Sequence, residues 1–353
     1  MKTRLLKIIH YLAATLTFVT IAFAFFLAIL RAEAPVLAGE GPTIEAYLTQ
    51  KLHHPVKIQS VSLKWHNIMP VLDIINLEIA RSDTDPQKIF AVHELSVGAR
   101  LIPSLWHREL LLRYVFVNGL DLSFVHDQAG NWQIKGLSDI DFAHFSGASD
   151  VRKSLNLEGK NLSLNFEGVF PKAILIQNFT TRLIIEKTPQ GSKIMLNKIN
   201  IRNQDIDAAG NLSYLNNRID LKLAYQLFPS ITSRIDNYLP HNLLHPKLIN
   251  WLTQAVQKLE SGEGDFILEG DLKDFPFTTK PGQFLVDTHL KNITLKYDPE
   301  WPIATHLDGE LVFQGNNMQM HIASAEMEHI KLDHIEAVIP DLGDGVLNIT
   351  GFC

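Results

Sequence analysis

The feature that most constrains the fold is an alternation of apolar and polar residues with a period of two, which recurs along most of the chain after residue 55. Such an alternation places the apolar side chains of a β-strand on one face. Many segments follow it, and few show helical spacing. Because a few helices cannot cover the apolar faces of so many strands, the sequence predicts a mainly β protein.

The first alternating segment contains an irregularity. Val56 and Ile58 begin it, and the alternation resumes at Val61 after a shift of one residue, which is typical of a bulge or kink near Ser60. Further alternating sets predict strands along the whole chain. They begin near Ile75, Leu95, Leu120, Leu162, Ile174, Leu183, Ile194, Ile199, Ile219, Phe266, Phe284, Ile293, Leu311 and Val346.

Two segments instead have helical spacing. Residues 42–52 carry apolar side chains at steps of four, and His53-His54-Pro55 ends this short helix. The second helix begins at Pro246 and is expected to continue until Gly262, with Leu248, Leu252 and Leu259 on one face. We expect it to cap or brace the sheet.

Two architectures satisfy the strand pattern. The sheet can fold on itself as a sandwich or barrel with a filled core. Alternatively, it can curl into a long trough whose apolar inner face stays accessible. An exposed apolar face of that extent indicates a surface that binds lipid or protein. The alternation itself is compatible with both.

The N-terminus predicts a membrane anchor. Tyr11–Leu30 is a run of twenty residues without a charge, which as a helix is about 30 Å long and spans a bilayer core. Lys2, Arg4 and Lys7 precede it, and only Arg31 follows closely. The positive-inside rule therefore places the N-terminus in the cytoplasm and the rest of the chain outside.

A cleavable signal peptide is the alternative, supported by the small-residue pattern Ala32-Glu33-Ala34. The apolar run is longer than a signal peptide needs, and Pro35 would follow the cut. We therefore expect a retained anchor with a single span.

Composition excludes several classes of function. The net charge is −6 without charge blocks, so we expect no nucleic-acid binding. Cys353 is the single cysteine, and the fifteen histidines do not show the spacing of a zinc motif. Nucleophile-elbow, Walker and dinucleotide-binding motifs are also missing. The sequence therefore predicts no enzyme, no cofactor and no metal.

The order of short motifs resembles AsmA-like envelope proteins. LTQKLHHPVKIQSVSLKWHNIMPVLDIINLEI is similar to the beginning of that family, with Trp65 and Pro70 between two strands. Gly119 before a strand and the turn at Gly130 and Trp132 are similar to its next hairpins. A later set resembles the YhdP-type branch: Tyr238-Leu239-Pro240, Trp251-Leu252, Gly262, Asp274-Phe275-Pro276-Phe277, Gly282, Phe284, Tyr297 and Trp301-Pro302.

The resemblance implies a single-pass protein of the bacterial inner membrane with its bulk in the periplasm. It implies an elongated, curled, antiparallel-type β-sheet groove, braced by a few helices, along which phospholipids move toward the outer membrane. We expect residues 1–31 to form the cytoplasmic tip and anchor, and 32–150 an N-terminal AsmA-like region. Residues 151–353 would form a β-groove region with a helical insertion near 229–261. Family members are longer, so the chain is expected to be an N-terminal portion, truncated at its C-terminus.

Membrane phospholipids are the expected partners of such a groove. The groove-lining candidates are the larger apolar residues of the alternating strands: Leu63, Trp65, Ile75, Leu77, Leu122, Phe124, Leu164, Phe166, Leu221, Leu223, Phe284, Val286, Ile293 and Leu295. The alternative function is a non-catalytic envelope scaffold that binds another envelope protein through its sheet face or edge.

Overall fold

The computed structural model describes most of the chain from residue 41 onward. The described residues are 41–66, 69–80, 88–100, 103–104, 106, 111–126, 132–135, 152–242, 244–297, 300–343 and 346–352. The predicted anchor, Tyr11–Leu30, lies outside them.

Strands dominate the described residues, and all seventeen belong to one sheet. Their bounds are β1 Val56–His66, β2 Met69–Ala80, β3 Lys88–Ala99, β4 Leu112–His126, β5 Trp132–Ile134, β6 Arg152–Phe166, β7 Ile174–Thr188, β8 Gly191–Arg202, β9 Ile206–Leu215, β10 Arg218–Leu227, β11 Val256–Lys258, β12 Ser261–Asp271, β13 Gly282–Leu295, β14 Ala304–Gln314, β15 Asn317–Met327, β16 Ile330–Ile339 and β17 Asn348–Phe352.

Strands that follow each other along the chain pair antiparallel almost throughout, as the family resemblance implies. One pair differs: β4 and β6 are parallel, because the short strand β5 forms a hairpin with the last residues of β4. Strand β10 pairs with β12, and β11 pairs separately with the end of β13. So many strands do not remain a flat sheet, and this one is open and curled, which confirms the mainly β prediction.

Few helices accompany the sheet. The α-helices whose bounds lie within the described residues are α1, Gly41–Leu52, and α2, Pro246–Ala255. Short 3₁₀ helices occur at Pro229–Ser233, Ile235–Tyr238 and Leu272–Asp274.

Helix α1 confirms the first helix prediction, whereas α2 ends earlier than the sequence indicates. The predicted helix reached Gly262, but Val256–Lys258 is a strand that pairs with β13. The amide of Lys296 donates a hydrogen bond to the carbonyl of Ala255, 2.8 Å away. The chain therefore exchanges helical hydrogen bonds for sheet hydrogen bonds, and Leu259 is still buried.

Many strands are kinked by a residue with left-handed backbone angles. Asn76 (φ 51°), Asn161 (φ 50°) and Asn292 (φ 49°) are examples, and asparagine tolerates this conformation better than most residues. Neighbouring strands supply hydrogen bonds at the kinks, such as the amide of Asn292 to Oδ1 of Asp308 at 2.7 Å. Each kink shifts the alternation by one residue, so that Ile74 and Leu77 belong to the same buried cluster.

The shift keeps one face of the sheet apolar from end to end. Directly paired residues point to the same side of a sheet, and one continuous row connects fifteen strands. In order this central row is Val61, Ile74, Leu95, Val117, Gly159, Phe179, Ile201, Ala208, Tyr225, Gly264, Thr288, Leu311, Met320, Ala337 and Ile349. We call the side that bears it the inner face and the opposite side the outer face.

Candidate functional site

The middle of the inner face carries a second apolar row parallel to the central row. We call it the leucine row. Its members, from β6 to β13, are Leu155, Leu183, Leu196, Leu212, Leu221, Leu268 and Phe284. All seven side chains are half-buried, and none of them belongs to the buried clusters formed by the described residues. We call the inner face of β6–β10 and β12 the open segment.

The next part of the inner face is covered by the chain itself. The residues between β10 and β12 fold back over β13–β16, and Leu248 and Leu252 of α2 pack against Met318 and Ile339. Leu307, Met318 and Ile339 are each only 1% exposed. We call the inner face of β13–β16 the roofed segment and residues 228–260 the insertion.

Helix α1 covers the beginning of the inner face in the same way. Ile44, Leu48 and Leu52, which share one helical face, pack against the cluster that contains Val61 and Leu77. The helix also satisfies the free edge of β1, because Thr49 Oγ1 accepts from the amide of Val56 at 3.1 Å. An edge strand is thereby protected from pairing with another chain.

A buried ion pair holds the insertion to the sheet. Asp205, in the turn between β8 and β9, has a side chain that is 3% exposed and pairs with the guanidinium of Arg234. Arg234 Nε lies 2.8 Å from Asp205 Oδ2, and the hydroxyls of Ser230 and Tyr238 donate to the same carboxylate at 2.8 and 2.9 Å. Asn203 donates to the Tyr238 hydroxyl at 3.0 Å. The carboxylate is therefore well satisfied although it is buried.

These contacts change the pKa values of the cluster. Burial would raise the pKa of Asp205, but the hydrogen bonds from Arg234, Ser230 and Tyr238 outweigh it and hold the pKa below its usual value. Burial, with the hydrogen bond to Asp205, raises the pKa of Tyr238 to about 12. Asp205 is thus an anion at neutral pH, and the insertion is bound through a charge-assisted network.

The insertion connects distant parts of the curled sheet. The amide of His241 donates to the carbonyl of Val169, in the turn after β6, at 2.8 Å, and the amide of His245 donates to that of Leu342, after β16, at 3.4 Å. The indole of Trp251 also donates to the carbonyl of Tyr297 at 2.8 Å. The insertion therefore braces the sheet, as the sequence led us to expect of the helix.

A pocket of about 350 Å³ lies where the open segment meets the insertion. One side of it is apolar and includes Leu162 and Ile176, which are paired on the inner face. The other side carries Lys172, Arg234 and Tyr238. The pocket thus combines an apolar wall with polar and cationic groups at the rim of the sheet.

Thirteen of the fourteen sequence-derived candidates lie on the inner face. Leu221, Leu223, Phe284 and Val286 are in or beside the leucine row. Leu122 pairs with Leu164, and the rings of Phe124 and Phe166 stack at 4.8 Å. The other inner-face candidates are Leu63, Trp65, Leu77, Ile293 and Leu295.

The candidates differ in what covers them. Leu77 is 6% exposed beside α1, whereas Ile293 and Leu295 are 2% and 7% exposed beneath the insertion. Ile75 is on the outer face, because its partners across the sheet are Ser60 and Glu94. The sequence grouped Ile75 with Leu77, and the left-handed kink at Asn76 separates them.

Sequence reasoning missed Asp205 and Arg234. They are 29 positions apart, and nothing in their local spacing distinguishes them from surface charges. It also missed most of the kinks, although a step of three between apolar residues, such as Leu290 to Ile293, marks them in the sequence.

Among the helices that the structure describes, none is long and apolar enough to cross a membrane. The anchor therefore stays a prediction from the sequence.

The fold defines a long sheet curled around an apolar inner face, part of which is left half-exposed by the described residues. Comparison with protein families gives a match to the YhdP protein family over residues 1–141 and 128–352. The chain belongs to this family.

Comparison with individual proteins adds one relative. The intermembrane phospholipid transporter YhdP of Escherichia coli (strain K12) is 26% identical over 204 residues, which are 56% of this chain and 16% of that protein. The chain therefore matches about a sixth of the length of its relative. No solved structure matches the chain.

Proposed function

We propose that the open segment binds the acyl chains of membrane phospholipids and forms part of a path for phospholipid transport between membranes. The observation that carries this proposal is the leucine row of half-buried side chains with no helix over it among the described residues. Transport by the YhdP relative supports the proposal. Binding of acyl chains to an apolar trough needs no chemical step.

The dimensions of the open segment suit this role. Its six strands, about 4.8 Å apart, extend over about 24 Å, whereas one leaflet of a bilayer core is about 15 Å thick. Each CH₂ group that avoids water gains about 0.8 kcal/mol. Acyl chains lying along the leucine row would keep most of this gain, while the headgroup stays in water at the rim.

The roofed segment limits the path. Met318 and Ile339 contact Leu248 and Leu252 of α2 and leave no room for an acyl chain. In this arrangement lipid occupies the open segment and does not pass beneath α2. A continuous path toward the later strands requires the insertion to move or the lipid to pass outside it.

The sequence supports a membrane-anchored setting for the site. We propose that Tyr11–Leu30 anchors the chain in the bacterial inner membrane, with the N-terminus in the cytoplasm and the sheet in the periplasm. The division into an anchor (1–31), an N-terminal region (32–150) and a groove region (151–353) belongs to the same proposal.

Photo-crosslinking of the full-length chain tests the proposal. A photoreactive amino acid replaces Leu223 on the inner face, and Lys222 on the outer face is the matched control, since neighbouring residues of a strand point to opposite sides. In membranes containing phosphatidylethanolamine and phosphatidylglycerol, we expect phospholipid adducts at position 223 and few at 222. A third site, Met318, should capture none.

Two outcomes contradict the proposal. Equal lipid capture at positions 222 and 223 would mean nonspecific contact with the membrane. A protein adduct at position 223 without lipid would instead support the alternative, a scaffold whose inner face binds another envelope protein.

A further inference from the structure

Acidic and histidine residues alternate on the outer face of the sheet. They lie on the opposite side from the place where the open and roofed segments meet. Directly paired positions form a row across β12–β16: Glu263, His289, Glu310, His321 and Glu336. Asp287 precedes His289 by two residues on the same face of β13 and is paired with Asp265 of β12. The outer face is therefore polar and charged at these strands, whereas the inner face is apolar.

Three of these side chains converge. Among the described residues, Asp287, His289 and Glu310 form a group whose ligand atoms all lie within 4.8 Å of one another. The strand geometry produces this arrangement, since Asp287 and His289 are two residues apart and Glu310 is directly opposite His289. One imidazole and two carboxylates on two paired strands thus surround a common point.

The carboxylate of Asp287 is incompletely satisfied. Its Oδ1 atom is shielded from solvent and accepts no hydrogen bond from any residue that the structure describes, which is unusual for a buried carboxylate oxygen. Asp265 and Glu263, on the neighbouring strand, add negative charge and raise the local concentration of cations. A cation between Asp287 and Glu310 would neutralise both carboxylates and pair the unsatisfied oxygen.

We propose that Asp287, His289 and Glu310 bind a divalent transition-metal ion, with Zn²⁺ as the best fit. An imidazole ligand favours zinc and its neighbours in the transition series over Mg²⁺ and Ca²⁺, which prefer oxygen ligands alone. Zinc holds such ligands at about 2.0–2.2 Å, so the three atoms must move closer together, and the exposed side chain of His289 can rotate to allow this.

The site would fasten β13 to β14 on the outer face. These strands begin the roofed segment, and their pairing is interrupted by shifts of register between Leu290 and Leu295. A metal ion bound by both strands stabilises the folded state in proportion to its affinity and concentration. This proposal depends only on the outer face and is independent of lipid binding.

Zinc titration of the full-length chain in detergent tests the site. Isothermal titration calorimetry is performed with Zn²⁺ in a Cys353→Ser background, which removes the single thiolate that could compete. The variants are His289→Ala, Asp287→Asn and Glu310→Gln. His321→Ala is the matched control, because His321 is in the same row but pairs with Glu336 at 3.4 Å.

We expect the parent to bind one Zn²⁺ per chain. In each of the three variants the affinity for Zn²⁺ should be lost or lowered at least about tenfold, since losing even an outer partner of a metal ligand costs about 10–100-fold in affinity. The control should bind as the parent does. Circular dichroism checks that each variant is folded, and the near-isosteric Asp287→Asn and Glu310→Gln remain informative if His289→Ala is not. With Co²⁺, the parent should give visible absorption bands that Asp287→Asn loses.

Three results would overturn the proposal. The first is a parent chain that binds no zinc at micromolar concentration. The second is equal affinity in the parent and all variants, or an equal loss in the His321→Ala control. The third is displacement of Zn²⁺ by equimolar Mg²⁺, which would indicate a carboxylate cluster without selectivity for transition metals.

Discussion

The open and roofed segments belong to one sheet and share one pattern of alternation, yet they differ in how much of the inner face is buried. Ile199 and Ala208 of the open segment are buried, but its leucine row is half-exposed. Leu307 and Ile339 of the roofed segment are each 1% exposed, whereas Ile194, on the inner face of β8, is 36% exposed. The strands themselves do not explain this contrast. It arises because the insertion folds back in one direction only, over β13–β16.

Alternation determines which face of a strand is apolar but not what covers that face. In the roofed segment the cover is α2, whose apolar side chains complete a core. In the open segment the leucine row is left half-exposed. Large exposed apolar surfaces are uncommon unless they bind something, and this difference is the physical basis of the proposal that the open segment binds lipid.

The largest expected effect on stability is that of a leucine-to-alanine substitution in the roofed segment, compared with the same substitution in the open segment. Leu307→Ala should lower the free energy of unfolding by about 3–5 kcal/mol, because a fully buried leucine leaves a cavity. Leu212→Ala in the leucine row should cost only about 1–2 kcal/mol, since the side chain is already partly in water. Denaturant unfolding of both variants in the same detergent measures the difference. Equal losses would contradict the division into two segments.

The second prediction concerns the contact that holds the insertion. Arg234→Ala leaves the buried carboxylate of Asp205 without its cation and should destabilise the protein by about 3 kcal/mol. Cleavage by protease within residues 229–245 should also become faster. Arg218→Ala, at an exposed position of β10, is the control and should change stability by less than about 0.5 kcal/mol. If both variants behave alike, the ion pair does not hold the insertion.

Much of the fold follows from the sequence, for a local reason. Alternation is a property of neighbouring residues, so the strands and the stripe of Ile44, Leu48 and Leu52 on α1 could be predicted. Alternation is equally compatible with a sandwich or barrel, so the open curled sheet was expected only from the family resemblance. The kink near Ser60 could also be predicted, because the alternation shifts between Ile58 and Val61. The corresponding kink at Asn76 was missed, and Ile75 was therefore assigned to the wrong face of its strand.

The parts that could not be predicted depend on contacts between distant residues. The cover over Met318 is provided by Leu248 and Leu252, which are far from it in sequence. The group of Asp287, His289 and Glu310 requires the register between β13 and β14. Neither the path of the insertion nor the pairing of two strands is encoded in the spacing of any single segment.

The smallest expected effect is the loss of stability at low pH when the carboxylate of Asp205, which holds the insertion, is protonated. Because the pKa of Asp205 in the folded protein is held below the ordinary value of 3.8, the carboxylate stabilises the fold fully above that pH. This stabilisation is lost as the pH falls through the lower, folded-state pKa. The loss should be smaller than in Arg234→Ala, since a protonated carboxyl group still accepts hydrogen bonds from Ser230 and Tyr238. Unfolding is compared for the parent and Asp205→Asn, and their difference in stability should narrow as the pH is lowered below 3.8. A difference that stays constant with pH would mean that the charge of Asp205 contributes nothing to holding the insertion, and that the roofed segment is maintained by its apolar core alone.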